Sequence, residues 1–296
     1  MMHNVAKKIY WGINKHDSYL ASHLWYAIER QINPIQYIPE HKELADIHKW
    51  VHLLPKDIDA VVGIPRRGLL YANLIAMELG KPLSTPDKLM RGEFWMSAQN
   101  PVNKLFSYNK ILLVDDSTET GKQMIATSEM LQKAFPGLVI KTAVLYLGPY
   151  RKIDYYYYKI PKRLGTEYEI ALMHGGCGRH PLGTDLDGVL CNDVPEGISD
   201  EEHYRKALAY RIPKGKIEFI ATGRLEEYRR DTELWLDEHN VNYDNLYMRK
   251  SKSQNPAIFK SSIIKREKPK WFWESSASEA RIIRLFTGGR VIVFGQ

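Results

Sequence analysis

Two sets of acids stand where apolar runs end. In ILLVDDSTETGKQ (Ile111 to Gln123) the adjacent Asp115 and Asp116 close a buried-strand pattern. A loop of small and hydroxyl residues follows, and a helix pattern begins near Gly121. Backbone N–H groups of such a loop and of a helix start form an anion site. Carboxylates beside it would repel a bare phosphate. They suit a ligand that also offers hydroxyls, and a ribose 5-phosphate does both: its phosphate goes to the loop, and its 2′ and 3′ hydroxyls donate to the acids. In LGTDLDGVL (Leu182 to Leu190) a second pair, Asp185 and Asp187, follows another short apolar run. Taken alone, that pair suits a metal-binding turn or simple surface acids.

A nucleotide-binding Walker A loop is excluded for the first run. It needs Gly where Asp116 stands and Ser or Thr where Gln123 follows Lys122. Upstream, GIPRRG (Gly63 to Gly68) sits between a buried strand and a helix, with Arg66 and Arg67 at the turn. Together these runs resemble type I phosphoribosyltransferases. The two acids and the Thr120–Gly121 pair match that family's phosphoribosyl diphosphate motif, and Ser117, Thr118, Glu119 and Lys122 lie within the loop it defines. Glu119 departs from the small or apolar residue usual there. The resemblance implies that Arg66 and Arg67 hold the diphosphate, with Asp115, Asp116 and the loop holding the ribose phosphate. Diphosphate would then leave the ribose C1 as a nitrogen nucleophile arrives, with Mg²⁺ bridging diphosphate and ribose oxygens. The family's mobile lid would fall on Ser84–Asn109, where Lys88, Arg91 and Lys104 could reach a phosphate.

TDLDGVL (Thr184 to Leu190) resembles the first motif of the haloacid dehalogenase superfamily, and three further pieces follow in that superfamily's order. FIATGR supplies Thr222, with Arg224 beside it; PAIFKSSII supplies Lys260; WFWES supplies Glu274. The resemblance implies that Asp185 attacks phosphorus and that Asp187 acts as acid and then base. Thr222 would hold a phosphoryl oxygen and Lys260 would neutralise charge. Asp185, Asp187 and Glu274 would bind Mg²⁺. On the strand both side chains of an i, i+2 pair leave the same face, so both carboxylates reach one phosphoryl group. Where two acids are usual in the last motif, serines (Ser275, Ser276, Ser278) accompany Glu274.

Elements that place these residues are legible from periodicity. Asp57–Pro65, Lys110–Asp116 and Val139–Leu147 read as strands; Leu69–Gly80 and Gly121–Phe135 read as helices. Lys81–Leu83 restarts an extended segment, and 150–165 reads as an edge strand and connector. A second alternation follows: strands at Lys216–Arg224, 243–248, 271–275 and 290–295, and helices at 227–241, 257–267 and 278–286. Alternation of this kind predicts an α/β class with two parallel-sheet domains. The expected division is 1–165, phosphoribosyltransferase-like, and 166–296, a Rossmannoid haloacid dehalogenase-like domain with minimal cap. Residues 1–55 read as mostly helical and aromatic, a hood over the base.

The chain has 296 residues and a formal charge of +7, and 44% of it is hydrophobic, which suits a soluble two-domain protein. No run is long enough for a membrane span, and no signal peptide is expected. Cys177 and Cys191 alone make no disulfide framework, so a cytoplasmic setting is the default. The positive charge favours a phosphate-rich substrate over nucleic acid. The leading expectation is a bifunctional enzyme: phosphoribosyl transfer between phosphoribosyl diphosphate and a base, plus Mg²⁺-dependent phosphate-ester hydrolysis. A non-catalytic sensor of the same ligand, or a nucleotide-depleting defence effector, is the alternative. A homo-oligomer is compatible with either.

Overall fold

The computed structural model describes residues 35–96, 108–118, 120–148, 152–160, 165–169, 173, 182–195, 199–210, 212–288 and 291–294. Expectations for 1–34, Glu119, Lys104 and Cys177 therefore lie outside the described residues. The chain divides into two compact units. One is His41–Leu164; the other joins the segment up to Glu40 to the chain from Gly165 onward.

In the order of the chain, β1 (Ile35–Ile38) precedes α1 (Glu40–Trp50), β2 (Ala60–Gly63), α2 (Arg67–Leu79), β3 (Leu83–Ser84) and the short α3 (Pro86–Leu89). Next come β4 (Lys110–Thr118), α4 (Lys122–Ala134), β5 (Val139–Leu147), β6 (Tyr155–Lys159) and β7 (Gly165–Tyr168). The second alternation is β8 (Leu182–Thr184), α5 (Asp200–Lys206), β9 (Ile217–Leu225), α6 (Arg229–Glu238), β10 (Tyr243–Arg249), α7 (Pro256–Glu267), β11 (Trp271–Glu274), α8 (Ala277–Thr287) and β12 (Val291–Val293).

The first unit holds a five-stranded sheet in the order β3-β2-β4-β5-β6, with every pairing parallel. β4 is its spine: Ile111, Leu112, Leu113 and Val114 are fully buried. Unbroken apolar runs are what a strand covered on both faces requires. Burying each such side chain is worth roughly 1.5–3 kcal/mol. β4 runs two residues past the expected Asp116, so Ser117 and Thr118 still belong to the strand. Helix α2 stops at Gly80, whose φ of 61° gives the left-handed cap that glycine accepts without a Cβ clash.

Ser84–Asn109 is more ordered at its start than a plain loop. Pro86–Leu89 is helical, and Leu83 and Trp95 exchange backbone hydrogen bonds at 2.8 and 2.7 Å. Lys88 bonds Glu93 at 2.8 Å, and Arg91 bonds Asp87 and Glu93 at 3.2 Å each. Of the three cations expected to serve a lid, Lys88 and Arg91 are thus engaged by acids of their own segment, and Lys104 lies outside the described residues.

The second unit holds a five-stranded sheet in the order β10-β9-β8-β11-β12, again all parallel. β8 is central, with β9 and β11 on its flanks. The carboxyl ends of all three face the same way, which is where open α/β sheets bind ligands. The core on one face gathers Leu186, Leu190, Trp235, Leu236 and Trp273. β1 departs from the helical expectation for residues 1–55. It pairs in parallel with β7, and Tyr37 lies 6.0 Å from Phe294, ring to ring. The chain therefore leaves this unit after Glu40 and re-enters it at Gly165. No helix among the described residues is long and apolar enough to cross a membrane.

Candidate functional sites

In the first unit, the turn after β2 and the end of β4 come together because parallel neighbours end on the same edge. The Ile64 amide donates to the Val114 carbonyl at 2.9 Å, and the Pro65–Arg66 peptide between β2 and α2 is cis. Gly68 lets α2 lie against the sheet. A Cβ there would stand 2.8 Å from the Val114 carbonyl oxygen and 2.9 Å from Asp115 Oδ1. Arg67, in the first turn of α2, reaches across to Asp116 and forms an ion pair with its Oδ2. Ser117 Oγ donates to the same carboxylate oxygen at 2.9 Å, and the Asp116 amide donates to Asp115 Oδ1 at 2.9 Å. Burial, and then the neighbouring Asp116 carboxylate, push the Asp115 carboxyl up to about 8.

Thr118 Oγ1 is buried with no hydrogen-bond partner among the described residues, at the mouth of the loop that precedes α4. A buried hydroxyl without a partner is costly unless a ligand or water satisfies it. Thr120 Oγ1 and the Lys122 amide stand 3.4 Å apart at the helix start. Arg66 is exposed. The structure thus brings Arg67, Asp115, Asp116, Ser117 and Thr118 to one edge of one sheet, with Arg66, Thr120, Gly121 and Lys122 in the adjoining turns.

In the second unit, Lys260 of α7 is the hub. Its Nζ donates to Asp185 Oδ2 at 2.5 Å, Glu274 Oε2 at 2.8 Å and Glu279 Oε2 at 2.8 Å. Lys260 and Glu274 are almost wholly buried, and Asp185 is 5% exposed. Burial alone would lower the Lys260 ammonium, but the three carboxylates outweigh it and hold the group well above its ordinary value. Burial and the Glu274 charge drive Asp185 well above the carboxylate range despite Lys260.

β8 ends at Thr184, before the acid pair, so the same-face geometry of a strand does not govern Asp185 and Asp187. Each is held by its own cation. Arg224, whose side chain is fully buried, forks onto Asp187: Nη2 lies 2.6 Å from Oδ1 and Nε 3.0 Å from Oδ2. Arg224 Nη1 donates to Thr232 Oγ1 at 3.3 Å, and its guanidinium lies 4.1 Å over the Tyr204 ring. His203 Nε2 stands 3.6 Å from Asp187 Oδ1. Burial would raise Asp187, but the nearby His203 ring and the hydrogen bonds and charge of Arg224 hold it down to about 2. Thr222, fully buried two residues before Arg224 on β9, accepts the Arg224 amide at 3.2 Å.

Three of these residues escaped the sequence reading. Glu279 lies in the first turn of α8, where Ser276 Oγ accepts its amide at 3.3 Å. The S-x-x-E spacing of a capping box was the available signal. His203 and Tyr204 come from α5, a helix between β8 and β9 whose cap, Ser199, accepts the Glu202 amide at 3.3 Å. Asp187, Cys191 and His203 place ligand-type atoms within 4.8 Å of one another. A guanidinium already stands there: Arg224 Nη2 is 3.5 Å from Cys191 Sγ as well as on Asp187. That cluster is therefore a hydrogen-bonded clamp.

Gly188 closes the Asp185–Asp187 turn at φ 74°, and a Cβ there would meet Ser275 atoms at 2.5 Å. Gly188→Ala is expected to cost about 1–3 kcal/mol, read as a lowered midpoint in thermal or urea unfolding.

Residues 36–171 match the family described as the phosphoribosyl transferase domain. An adenine phosphoribosyltransferase from Prochlorococcus marinus is 28% identical over 102 residues; the match covers 30% of this chain and 59% of that protein. Among solved structures, a purine phosphoribosyltransferase from Pyrococcus horikoshii is similar, with 23% identity, 45% of this chain and 92% of that one covered, and a TM-score of 0.34. A Helicobacter pylori xanthine-guanine-hypoxanthine phosphoribosyltransferase has 15% identity, 44% and 89% coverage, and a TM-score of 0.34. The family match spans β2, α2 and β4, which carry the Arg67–Asp116 edge, so the chain is similar to phosphoribosyl transferase domains over residues 36–171.

Proposed function

We propose that the chain joins phosphoribosyl diphosphate to a nitrogenous base and hydrolyses a phosphate ester at its second site. The observation that carries the first activity is the convergence, on one sheet edge, of a cation for diphosphate, two acids for ribose hydroxyls and an anion loop. Arg66 and Arg67 hold the diphosphate. Asp115 and Asp116 accept from the 2′ and 3′ hydroxyls. Residues Ser117 to Lys122, Glu119 among them, take the 5′-phosphate. The base nitrogen bonds to ribose C1 as the bond from C1 to diphosphate oxygen breaks, and the electron pair leaves with diphosphate. Phosphoribosyl diphosphate should bind the wild-type chain in calorimetry and fail to bind an Asp115→Ala/Asp116→Ala double variant that still melts cooperatively. Equal binding to both proteins refutes the assignment.

The phosphohydrolase reading rests on Lys260 gathering Asp185 and Glu274 at the carboxyl edge of a sheet whose central strand is β8. Asp185 Oδ bonds phosphorus as the phosphorus–ester oxygen bond breaks. That oxygen leaves with the electron pair and takes its proton from solvent, because Asp187, held as an anion, has none to give. Water then cleaves the aspartyl phosphate. Clamped as an anion by Arg224, Asp187 is set to take the proton of that water. Thr222 holds a phosphoryl oxygen. Four carboxylates (Asp185, Asp187, Glu274, Glu279) face two cations (Lys260, Arg224) among the described residues. An all-oxygen donor set with surplus negative charge fits Mg²⁺. Asp185, Asp187 and Glu274 would hold the ion, which supplies charge neutralisation for the incoming phosphate. Asp185→Asn is expected to abolish phosphate release from a generic aryl phosphate while leaving nucleotide formation intact, as read by parallel colorimetric and chromatographic assays.

A further inference from the structure

Arg67 and Asp116, 49 residues apart, neutralise each other across the phosphoribosyl site. Both are partly buried, with side chains 23% and 18% exposed. Ser117 Oγ donates to the same Asp116 oxygen, and the Asp116 amide donates to Asp115 Oδ1. In the proposed reaction the two partners have different customers on one substrate. The diphosphate draws on Arg67, and the ribose hydroxyls draw on Asp116.

Half a substrate is therefore poorly matched. Inorganic diphosphate competes for Arg67 and leaves Asp116 charged, partly buried and without its guanidinium. A ribose 5-phosphate draws on Asp116 and must open its ion pair with Arg67 to do so. Separating a desolvated ion pair while replacing only one partner is costly. The intact sugar diphosphate replaces both at once. Likewise, once one half has opened the pair, the other binds without that cost.

We infer that the Arg67–Asp116 ion pair makes the site selective for an intact sugar diphosphate, by coupling diphosphate binding to ribose phosphate binding. This deepens the proposed transferase reading and rests on it. Linkage requires the coupling to be reciprocal: each half must tighten the other by the same factor.

The experiment is isothermal titration calorimetry on the full chain with Mg²⁺, using ribose 5-phosphate, inorganic diphosphate and phosphoribosyl diphosphate. In the wild type, saturating diphosphate should tighten ribose 5-phosphate binding by about tenfold, within the usual range of site coupling. Saturating ribose 5-phosphate should tighten diphosphate binding by the same factor. In Arg67→Met and in Asp116→Asn the factor should fall to near one. The wild-type measurement stands by itself if either variant fails to fold. Phosphoribosyl diphosphate binding without synergy between its halves overturns the inference and leaves the transferase reading standing. Synergy that survives in both folded variants also overturns it, because the pair would not be its source. Failure of phosphoribosyl diphosphate to bind the wild type removes the transferase reading and this inference together.

Discussion

Lys260→Met should lower stability by about 3–5 kcal/mol, the usual cost of breaking a buried ion pair from one side, and should abolish phosphate release. The reason is the company Lys260 keeps. Its ammonium is 2% exposed and meets three carboxylates within 2.8 Å. Methionine keeps most of the volume and removes the charge, so the Glu274 and Glu279 carboxylates lose their shared cation, with Glu274 wholly buried beside Asp185. A second change identifies the cause. Adding Glu279→Gln to Lys260→Met removes one uncompensated charge, so the double variant should be more stable than Lys260→Met. Neighbours in one network are expected to couple in this way. Urea unfolding of the four proteins in the cycle measures it. A double variant less stable than Lys260→Met would mean that packing, not charge, sets the loss.

Asp115→Asn should stabilise the protein at alkaline pH and remove phosphoribosyl diphosphate binding. In the folded chain the Asp115 carboxyl is pushed up to about 8 by burial and by Asp116, whereas an unfolded aspartate titrates near ~3.9. Between those values the folded state holds a proton that the unfolded state has lost. Stability contributed by this group therefore falls as pH rises from about 4 to about 8 and is level beyond. Asparagine resembles the protonated acid and has nothing to ionise. The difference in melting midpoint, variant minus wild type, should be small near pH 4 and grow toward alkaline pH. In the proposed reading the same substitution replaces one of the two oxygens that accept from the ribose hydroxyls with an NH₂ donor, which cannot accept. A site that lowers stability in order to hold its ligand is a common trade. A midpoint difference that shrinks with rising pH would contradict the sign of this shift.

Much of the frame was legible because apolar runs of strand length are hard to mistake. KILLVDD announces β4, and VIKTAVLYL matches β5 residue for residue. WFWES and FIATGR announce β11 and β9, and with them the positions of Glu274 and Thr222. The short polar strands were not legible: IQYI and GTEY carry no alternation, and only their mutual pairing makes them β1 and β7. Helix α5, DEEHYRK, has no apolar stripe, so His203 and Tyr204 gave no signal. Contacts between distant elements were beyond periodicity altogether. Arg224 on Asp187 spans 37 residues, and Arg67 on Asp116 spans 49. Those pairings follow from which strand ends share an edge, and that is settled by sheet order. Glu279 fell between the two cases, since its capping-box spacing was visible but its reach to Lys260 was not.

The central claim is that residues 36–171 transfer a phosphoribosyl group. The most direct measurement is phosphorus NMR of the full chain with phosphoribosyl diphosphate, Mg²⁺ and one base at a time from a purine and pyrimidine panel. With an accepted base, the diphosphate resonances of the substrate should give way to free diphosphate and a new 5′-phosphomonoester, and Asp115→Ala/Asp116→Ala should stop both. Phosphoribosyl diphosphate left intact with every base, or consumed equally fast by the double variant, would contradict the account.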